Sequence, residues 1–367
     1  MPAIHRLITK IAAMTLAVAL FQTPLVQAQV KNGPDQTQQG SEFTLKGQGD
    51  TSVDSPGDGD SSASRTAFAD KARLALALRQ DYEPNPAIWR LSDDDTTIYL
   101  FGTIHILPEG FKWRSSKLDA IIEEADELVM ETSEDEDDLD AMMMEMIGTI
   151  FNATAERGPL SSLVDAENRP KLEMLAEQIG MPKDFIDIMP VWLLGFFSFY
   201  DGAADFGSVD EYGVETVLGK IFKSSNKPIS AIEDGNAVMA AMSAIDETAM
   251  IAELNTALSK WDGKGPLFGT PETNPSLADP IAYFADDHGW AQGKTSAMAS
   301  GLSREELGDA FYDVLLVDRN RAWAEWLDDR LDAPGTVLVA VGAGHLAGPD
   351  SVQVMLRKRG LETERIR

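Results

Sequence analysis

The sequence predicts an α/β fold with a central, mostly parallel sheet, surrounding helices and large helical insertions; an α+β arrangement is the alternative. Helical patterns alternate with short apolar runs that are typical of buried strands. The residues suited to chemistry directly follow those runs, where parallel sheets usually carry their sites. Of the 367 residues, 44% are hydrophobic, which is enough to form a sizeable core.

The first 28 residues have the pattern of a secretory signal peptide. Arg6 and Lys10 precede an apolar block at residues 11 to 21, and the small-residue ending VQA predicts cleavage after Ala28. The block is shorter than the roughly 20 residues that a spanning helix needs, which favours a cleaved leader over a retained anchor. We therefore expect an exported protein, periplasmic or extracellular, with no stable membrane span after cleavage.

Composition divides the rest of the chain and limits its chemistry. Residues 29 to 65 are rich in Gly, Ser, Asp and Gln, which predicts a disordered linker, and residues 66 to 367 are expected to form one domain with helical insertions near 137 to 205 and 236 to 300. The formal net charge of −29 argues against a nucleic-acid partner. Because the chain has no cysteine, any metal ion must be held by His, Asp or Glu.

The first elements follow one another closely. Two β-rich runs within residues 86 to 102 flank the turn SDDD and predict a hairpin. After the sequence YLFGTIHILPEG, Ser116 and Asp119 form a capping-box pattern that opens an amphipathic helix. A short strand is then expected from Glu127 to Met130, ending at Glu131.

The later elements repeat the order of a helix followed by a short strand that ends at a glutamate. A helix and a Lys-Pro break precede a short strand that ends at Glu233. Ser303 and Glu306 form a second capping-box pattern, opening a long helix whose apolar stripe is interrupted by Asp318 and Arg319. An apolar strand, the glycine-rich turn VGAGH and a closing helix complete the chain.

Two of the four histidines stand in Gly-x-x-His turns directly after apolar strands. His105 and His345 could each be a turn or core residue, but as a pair, with acids also at strand ends, they favour a functional site. His288 lies in a polar stretch and is expected at the surface. Two imidazoles with one or two carboxylates would suit a hydrolytic metal ion: Mn, Co, Zn or Fe.

Three further candidates are Glu233, Arg319 and Asn320, and the first two have a structural alternative. Glu233 would serve the chemistry, or would instead be a cap or salt-bridge partner. Arg319 and Asn320 would orient a metal ligand or stabilise an oxyanion, whereas the alternative for Arg319 is a buried ion pair with Asp318 or Glu325.

The sequence resembles the TraB/GumN family, which includes the Tiki proteins, over roughly residues 85 to 367. The segments YLFGTIHILPEG, GVETVLGKIFKSSNKPISAIED and VLVAVGAGHLAG carry the resemblance. It implies a fold distantly related to erythromycin esterase and ChaN, and metal-dependent proteolysis like that of the membrane-associated Tiki members. By motif, it implies that His105, His345 and Glu131 bind a divalent transition metal and form the catalytic set, with Glu233 and Arg319 as further candidates.

Two functions are therefore predicted. The first is an exported metallohydrolase, most simply a peptidase, acting on a peptide or small-molecule substrate with Glu131 or Glu233 as general base and Arg319 steadying the anionic intermediate. The alternative is a non-catalytic protein that binds a peptide or haem-like ligand near the apolar run VWLLGFFSFY. That run is also typical of core.

Overall fold

The structure is a computed structural model. It describes residues 71–132, 157–194, 206–263, 279–299 and 308–366, together with the single residues 148, 203, 267, 302 and 304. The predicted leader and linker lie outside these residues, as do most of the second capping box and residues 195–200 of the apolar run. Among the residues described, no helix is both long enough and apolar enough to cross a membrane.

A six-stranded, mostly parallel sheet forms the centre of the molecule and confirms the predicted α/β class. Its strands are β1 Ile88–Ser92, β2 Thr96–Thr103, β4 Glu127–Met130, β6 Ile229–Ala231, β7 Gly335–Gly342 and β8 Glu364–Ile366, in the order β6-β4-β7-β2-β1-β8. The pairs β2–β7, β7–β4 and β4–β6 are parallel, whereas β1 is antiparallel to both β2 and β8. A separate two-stranded sheet pairs β3 Leu107–Pro108 with β5 Ser208–Val209.

Helices lie between and around these strands. They are α1 Ser116–Glu124, α2 Leu160–Leu163, α3 Arg169–Gln178, α4 Lys183–Ile186, α5 Val214–Ser224, α6 Gly235–Ser243, α7 Glu247–Lys260, α8 Pro280–Tyr283, α9 Ala285–Ala291, α10 Thr295–Met298, α11 Asp309–Tyr312, α12 Asp318–Arg330 and α13 Val352–Lys358. Residues 210–212 and 343–346 form 3₁₀ turns, and a π-helical segment, Asp313–Val317, joins α11 to α12.

Local chemistry explains the hairpin and the first helix. Asp93 Oδ1 accepts hydrogen bonds from the backbone N–H groups of Asp95 and Thr96, which closes the predicted turn between β1 and β2. The cap of α1 lies one residue before the predicted one, because Ser115 rather than Ser116 accepts the hydrogen bond of Leu118 N–H.

Register places the ends of four strands at one edge of the sheet. Met130 is level with Ala340 of β7 and with Ala231 of β6, and Ala340 is level with Phe101 of β2. Because these strands are parallel, the residues that follow them leave the sheet side by side. The expected strand from Glu127 to Met130 is confirmed, and this edge carries the candidate site.

Two hydrophobic cores stabilise the described residues. The first covers the sheet, and in it the indole of Trp290 packs with Phe101 and Trp113. The second joins parts of residues 160–194 and 238–267, within the predicted insertions. Residues 280–299, which also fall in the second predicted insertion, pack against the sheet instead, where Trp290 Nε1 donates to Gly102 O at 2.8 Å.

Candidate functional site

Side chains that follow three of the four parallel strands meet around Gly342. A methyl group placed on Gly342 would lie 3.0 Å from Glu131 Oε1, 3.3 Å from His105 Nε2 and 3.6 Å from His345 Cδ2. Glu233 joins the same cluster through Arg319. The structure thus brings together the residues that the sequence singled out, and because the central residue is a glycine, their side chains can approach its backbone closely.

His105 is the member of this cluster that solvent reaches most easily, with 33% of its side chain exposed. Its ring is held from behind, since Nδ1 lies 2.6 Å from Oε1 of Glu215, a residue of α5 that is only 5% exposed. Thr103, at the end of β2, donates its hydroxyl to the same carboxylate oxygen. Nδ1 is thus paired with the Glu215 carboxylate, and Nε2 lies on the side of Gly342, 3.3 Å from where a Cβ there would be.

The backbone locks this histidine against the start of α5. Val214 N–H donates to Ile104 O at 3.0 Å, and a Cβ on Gly213 would lie 1.9 Å from His105 O. Only glycine allows so close an approach of the two backbones. The close approach at Gly213 therefore places the carboxylate of Glu215, two residues later, beside His105.

Electrostatics favour a proton on the His105 ring. Burial lowers the pKa of His105, but the charge and hydrogen bond of Glu215, assisted by the charge of Glu131, outweigh burial, so the pKa is raised. His105 is thereby a better proton acceptor than a free histidine.

His345 has the opposite character, because it is buried and both of its ring nitrogens are engaged. Asn320 donates its amide Nδ2–H to Asp350 O at 2.8 Å, which turns Oδ1 toward His345 Nδ1 at 2.6 Å. Nδ1 therefore carries the proton, and Nε2 accepts a hydrogen bond from Arg319 Nη1 at 3.1 Å. Burial lowers the pKa of His345, the charge of Arg319 lowers it further, and the result is about 3.

Arg319 links the cluster through all five of its N–H groups. Nη2 donates to Glu131 Oε2 and to Glu233 Oε1, each at 2.5 Å, while Nε donates to both Glu233 oxygens at 3.1 and 3.0 Å. Nη1 donates to Leu315 O at 3.2 Å and to His345 Nε2. A guanidinium has five N–H donors, so in this arrangement none is left to bind an oxyanion.

The two glutamates that share this guanidinium differ in acidity. Burial raises the pKa of Glu131, but Arg319, both histidines and the hydrogen bond from Gly342 N–H at 2.6 Å outweigh it, and the pKa is lowered to about 2. Burial raises the pKa of Glu233, whereas Arg319 and the Trp323 indole N–H lower it. The effect of burial is the larger one, so the pKa of Glu233 is raised. An ionised Glu131 with both oxygens hydrogen-bonded is a weak general base.

The π-helical segment explains how Arg319 and Asn320 reach the cluster. Asp318 N–H bonds to Asp313 O, five residues back, so the helix is widened just before Arg319 and its later residues are turned relative to an unbroken α-helix. The local ion-pair alternative for Arg319 is not what forms, because Asp318 pairs with Arg321 and Glu325 with Arg359.

Two residues of the site were missed by sequence reasoning. Glu215 lies on the buried face of α5, beside Val214 and Leu218, and Trp323 packs against His345 with ring centroids 4.2 Å apart and the rings tilted by 40°. A glutamate in the apolar stripe of GVETVLGKIF was the available signal, since a charge there is costly to bury without a partner. His288, expected at the surface, is half-buried, and its ring nitrogens contact Tyr82 Oη and Ala77 O.

The donor atoms of the cluster bear directly on the predicted metal site. Within the described part of the chain, no group of three or more His, Asp or Glu side chains is arranged to hold a metal ion. The cause is visible, because Arg319 donates to the acceptor atoms of Glu131, Glu233 and His345. As arranged, these residues do not fit a bound metal, and the metal stays a prediction.

The apolar run proposed for ligand capture is partly described. Val191, Trp192, Leu193 and Leu194 are buried in the second hydrophobic core, as the core interpretation expects. The rest of the run, residues 195–200, lies outside the described residues.

Comparison with known proteins agrees with the motifs. A family model described as the TraB/PrgY/gumN family matches residues 87–365. The uncharacterized protein YbaP of Escherichia coli strain K12 is 24% identical over 284 residues, covering 77% of this chain and 97% of the relative, and YbaP of Shigella flexneri matches to the same extent. No solved structure matches the chain.

Proposed function

The chain belongs to the TraB/PrgY/gumN family, and from the geometry of its site we propose that it is a hydrolase that cleaves a carbonyl substrate, most simply a peptide, with His105 as general base. The observation that carries this proposal is the His105–Glu215 pair. A partly exposed imidazole with one nitrogen paired to a buried carboxylate, and the other on the side of Gly342, is the arrangement that general bases use.

In the proposed reaction, His105 Nε2 takes a proton from water as the water oxygen bonds to the carbonyl carbon. The same nitrogen then gives that proton to the leaving amine as the C–N bond breaks. Glu215 holds the ring and stabilises its protonated form, and His345 and Glu131 shape the site without exchanging protons.

The charge of the site favours a neutral or basic peptide. Glu131, Glu215 and Glu233 supply three carboxylates against the single guanidinium of Arg319, and the whole chain carries a net charge of −29. Such a field repels acidic substrates and attracts basic ones. Export to the periplasm or beyond, expected from the leader, would place a peptide substrate within reach.

No step here is routed through a metal ion, because the residues do not fit one in this arrangement. Glu131, proposed from the sequence as a general base, is replaced in that role by His105, since both of its oxygens accept short hydrogen bonds. Glu233, the other base candidate, faces Arg319 and Trp323 rather than Gly342.

Peptide-library digestion followed by mass spectrometry tests the proposal. Wild type and the control His288→Gln, which changes a histidine outside the cluster, should cleave, with basic peptides cut faster than acidic ones. His105→Gln should lose cleavage while keeping the melting temperature of wild type within a few degrees. Cleavage by His105→Gln at the wild-type rate, or no cleavage by wild type, would overturn the proposal.

A further inference from the structure

We propose that the guanidinium of Arg319 takes the place that the sequence assigned to a metal ion, so that this site carries a built-in cation and works without a divalent one. The inference deepens the proposed function, on which its catalytic meaning rests. Its test needs no substrate, so it can fail or succeed separately from hydrolysis.

The histidine nitrogen that a metal would need is already occupied. A metal bonds to lone pairs, and His345 has one available, on Nε2, because Nδ1 carries a proton held by Asn320 Oδ1. That lone pair accepts from Arg319 Nη1 at 3.1 Å. A metal about 2.1 Å from Nε2 along the same lone pair would collide with the guanidinium.

The carboxylates are occupied in the same way. Glu131 Oε2 accepts from Arg319 at 2.5 Å, and its other oxygen accepts from the backbone N–H of Gly342 at 2.6 Å. Both oxygens of Glu233 accept from Arg319, and one also accepts from Trp323 Nε1 at 2.8 Å. His105 Nε2, the remaining donor of the sequence-predicted metal set, lies on the side of Gly342, 3.3 Å from the position of a Cβ there.

The placement of Arg319 is built into the fold. Its side chain is 11% exposed, its guanidinium lies 4.9 Å from the centre of the Trp323 ring, and the π-helical turn directly precedes it. A cation buried among two carboxylates and a histidine lone pair repels a second cation at the same point. The cluster can therefore hold either the arginine guanidinium or a metal ion, but not both.

Removal of the guanidinium should uncover a metal site. Without it, His345 Nε2, Glu131 and Glu233 would all face one space beside His105 Nε2, which is a donor set that Co²⁺ and Zn²⁺ accept. The negative charge of two carboxylates would then be unbalanced, which favours a divalent ion further.

Cobalt titration distinguishes the two states, because protein-bound tetrahedral Co²⁺ absorbs strongly in the visible range. The variants are Arg319→Ala, Arg319→Lys, which keeps a cation, and Arg319→Ala combined with His345→Gln, which removes a ligand. We expect no cobalt band and no stoichiometric metal in wild type or Arg319→Lys. Arg319→Ala should bind Co²⁺ at least about 100-fold more tightly, since a unit charge is removed from close range, and the double variant should lose that gain.

Two results would overturn the inference: stoichiometric metal in purified wild type, or a folded Arg319→Ala that binds Co²⁺ no better than wild type. If Arg319→Ala does not fold, Arg319→Gln, which keeps most of the side-chain volume, is judged by the same criterion. Loss of peptide cleavage in wild type on adding chelator would also overturn it, whereas absence of any cleavage would bear on the proposed function alone.

Discussion

We expect His345 to remain neutral, with its proton on Nδ1, throughout the pH range in which the protein is folded. Burial and the charge of Arg319 lower its pKa from 6.5 to about 3. At about 1.4 kcal/mol per pH unit, the shift corresponds to at most roughly 5 kcal/mol of unfolding free energy.

The sign of this effect follows from proton binding. Between pH 3 and pH 6.5 the unfolded chain binds a proton at His345 and the folded chain does not. The contribution to the unfolding free energy is therefore complete above pH 6.5 and is lost progressively as the pH falls toward 3. Urea unfolding from pH 4 to 7 should show this slope in wild type and a shallower one in His345→Gln.

Nitrogen-15 NMR of the histidine rings, recorded with chelator present, measures both the tautomer and the titration. Single variants His105→Gln and His288→Gln assign the signals. Asn320→Asp serves as a positive control, because a carboxylate 2.6 Å from Nδ1 should raise the pKa of His345 by a unit or more. A wild-type His345 that titrates near 6.5, or that carries its proton on Nε2, would refute this account of the cluster.

Three further predictions concern other positions. Glu215→Gln should lower kcat by roughly 10² to 10⁴-fold, as in other carboxylate–histidine pairs. The reason is that an amide neither fixes nor stabilises the protonated ring of His105. An unchanged kcat on a peptide that wild type cleaves would contradict this prediction. Gly342→Ala should abolish most activity and lower the free energy of unfolding, measured with urea, by about 1–3 kcal/mol. The backbone φ of −48° suits alanine, but the new methyl group would lie 3.0 Å from Glu131 Oε1. Full activity would show that the reaction does not use the position beside Gly342. Burial raises the pKa of Asp287 to about 7 from 3.8, so its contribution to stability is lost as the pH rises through this window. Asp287→Asn should therefore be more stable than wild type at pH 8, by at most about 4 kcal/mol, with little difference at pH 4; equal urea midpoints at pH 8 would argue against a buried charge.

Local patterns predicted the strand ends well. The strand from Glu127 to Met130 has the predicted bounds, and Glu131, Glu233, His105 and His345 lie at one sheet edge, because parallel strands share their carboxyl ends. These features depend on short-range hydrophobic patterns, which a few consecutive residues are enough to show.

Long-range partners could not be predicted in the same way. Thr103 and Glu215 are 112 residues apart in sequence, and Arg319 pairs with Glu131 across 188 residues. The sequence offered Asp318 or Glu325 as ion-pair partners in the structural alternative for Arg319, but which partner Arg319 reaches depends on helix phase. The π-helical turn alters the phase by one residue, and no hydrophobic pattern in the segment DVLLV signals it.

The π-helical turn also makes the site sensitive to the geometry of one helical turn. Each residue of an α-helix advances its neighbours by about 100°, so if Asp313–Val317 closed into a regular α-helix with every residue kept, Arg319, Asn320 and Trp323 would rotate together by about that angle. A substitution at the site removes one contact at a time, whereas this change of geometry would withdraw the guanidinium, the amide that fixes His345 and the packed indole at once. One extra residue held in a widened turn thus separates an assembled site from four strand ends that no longer share a partner.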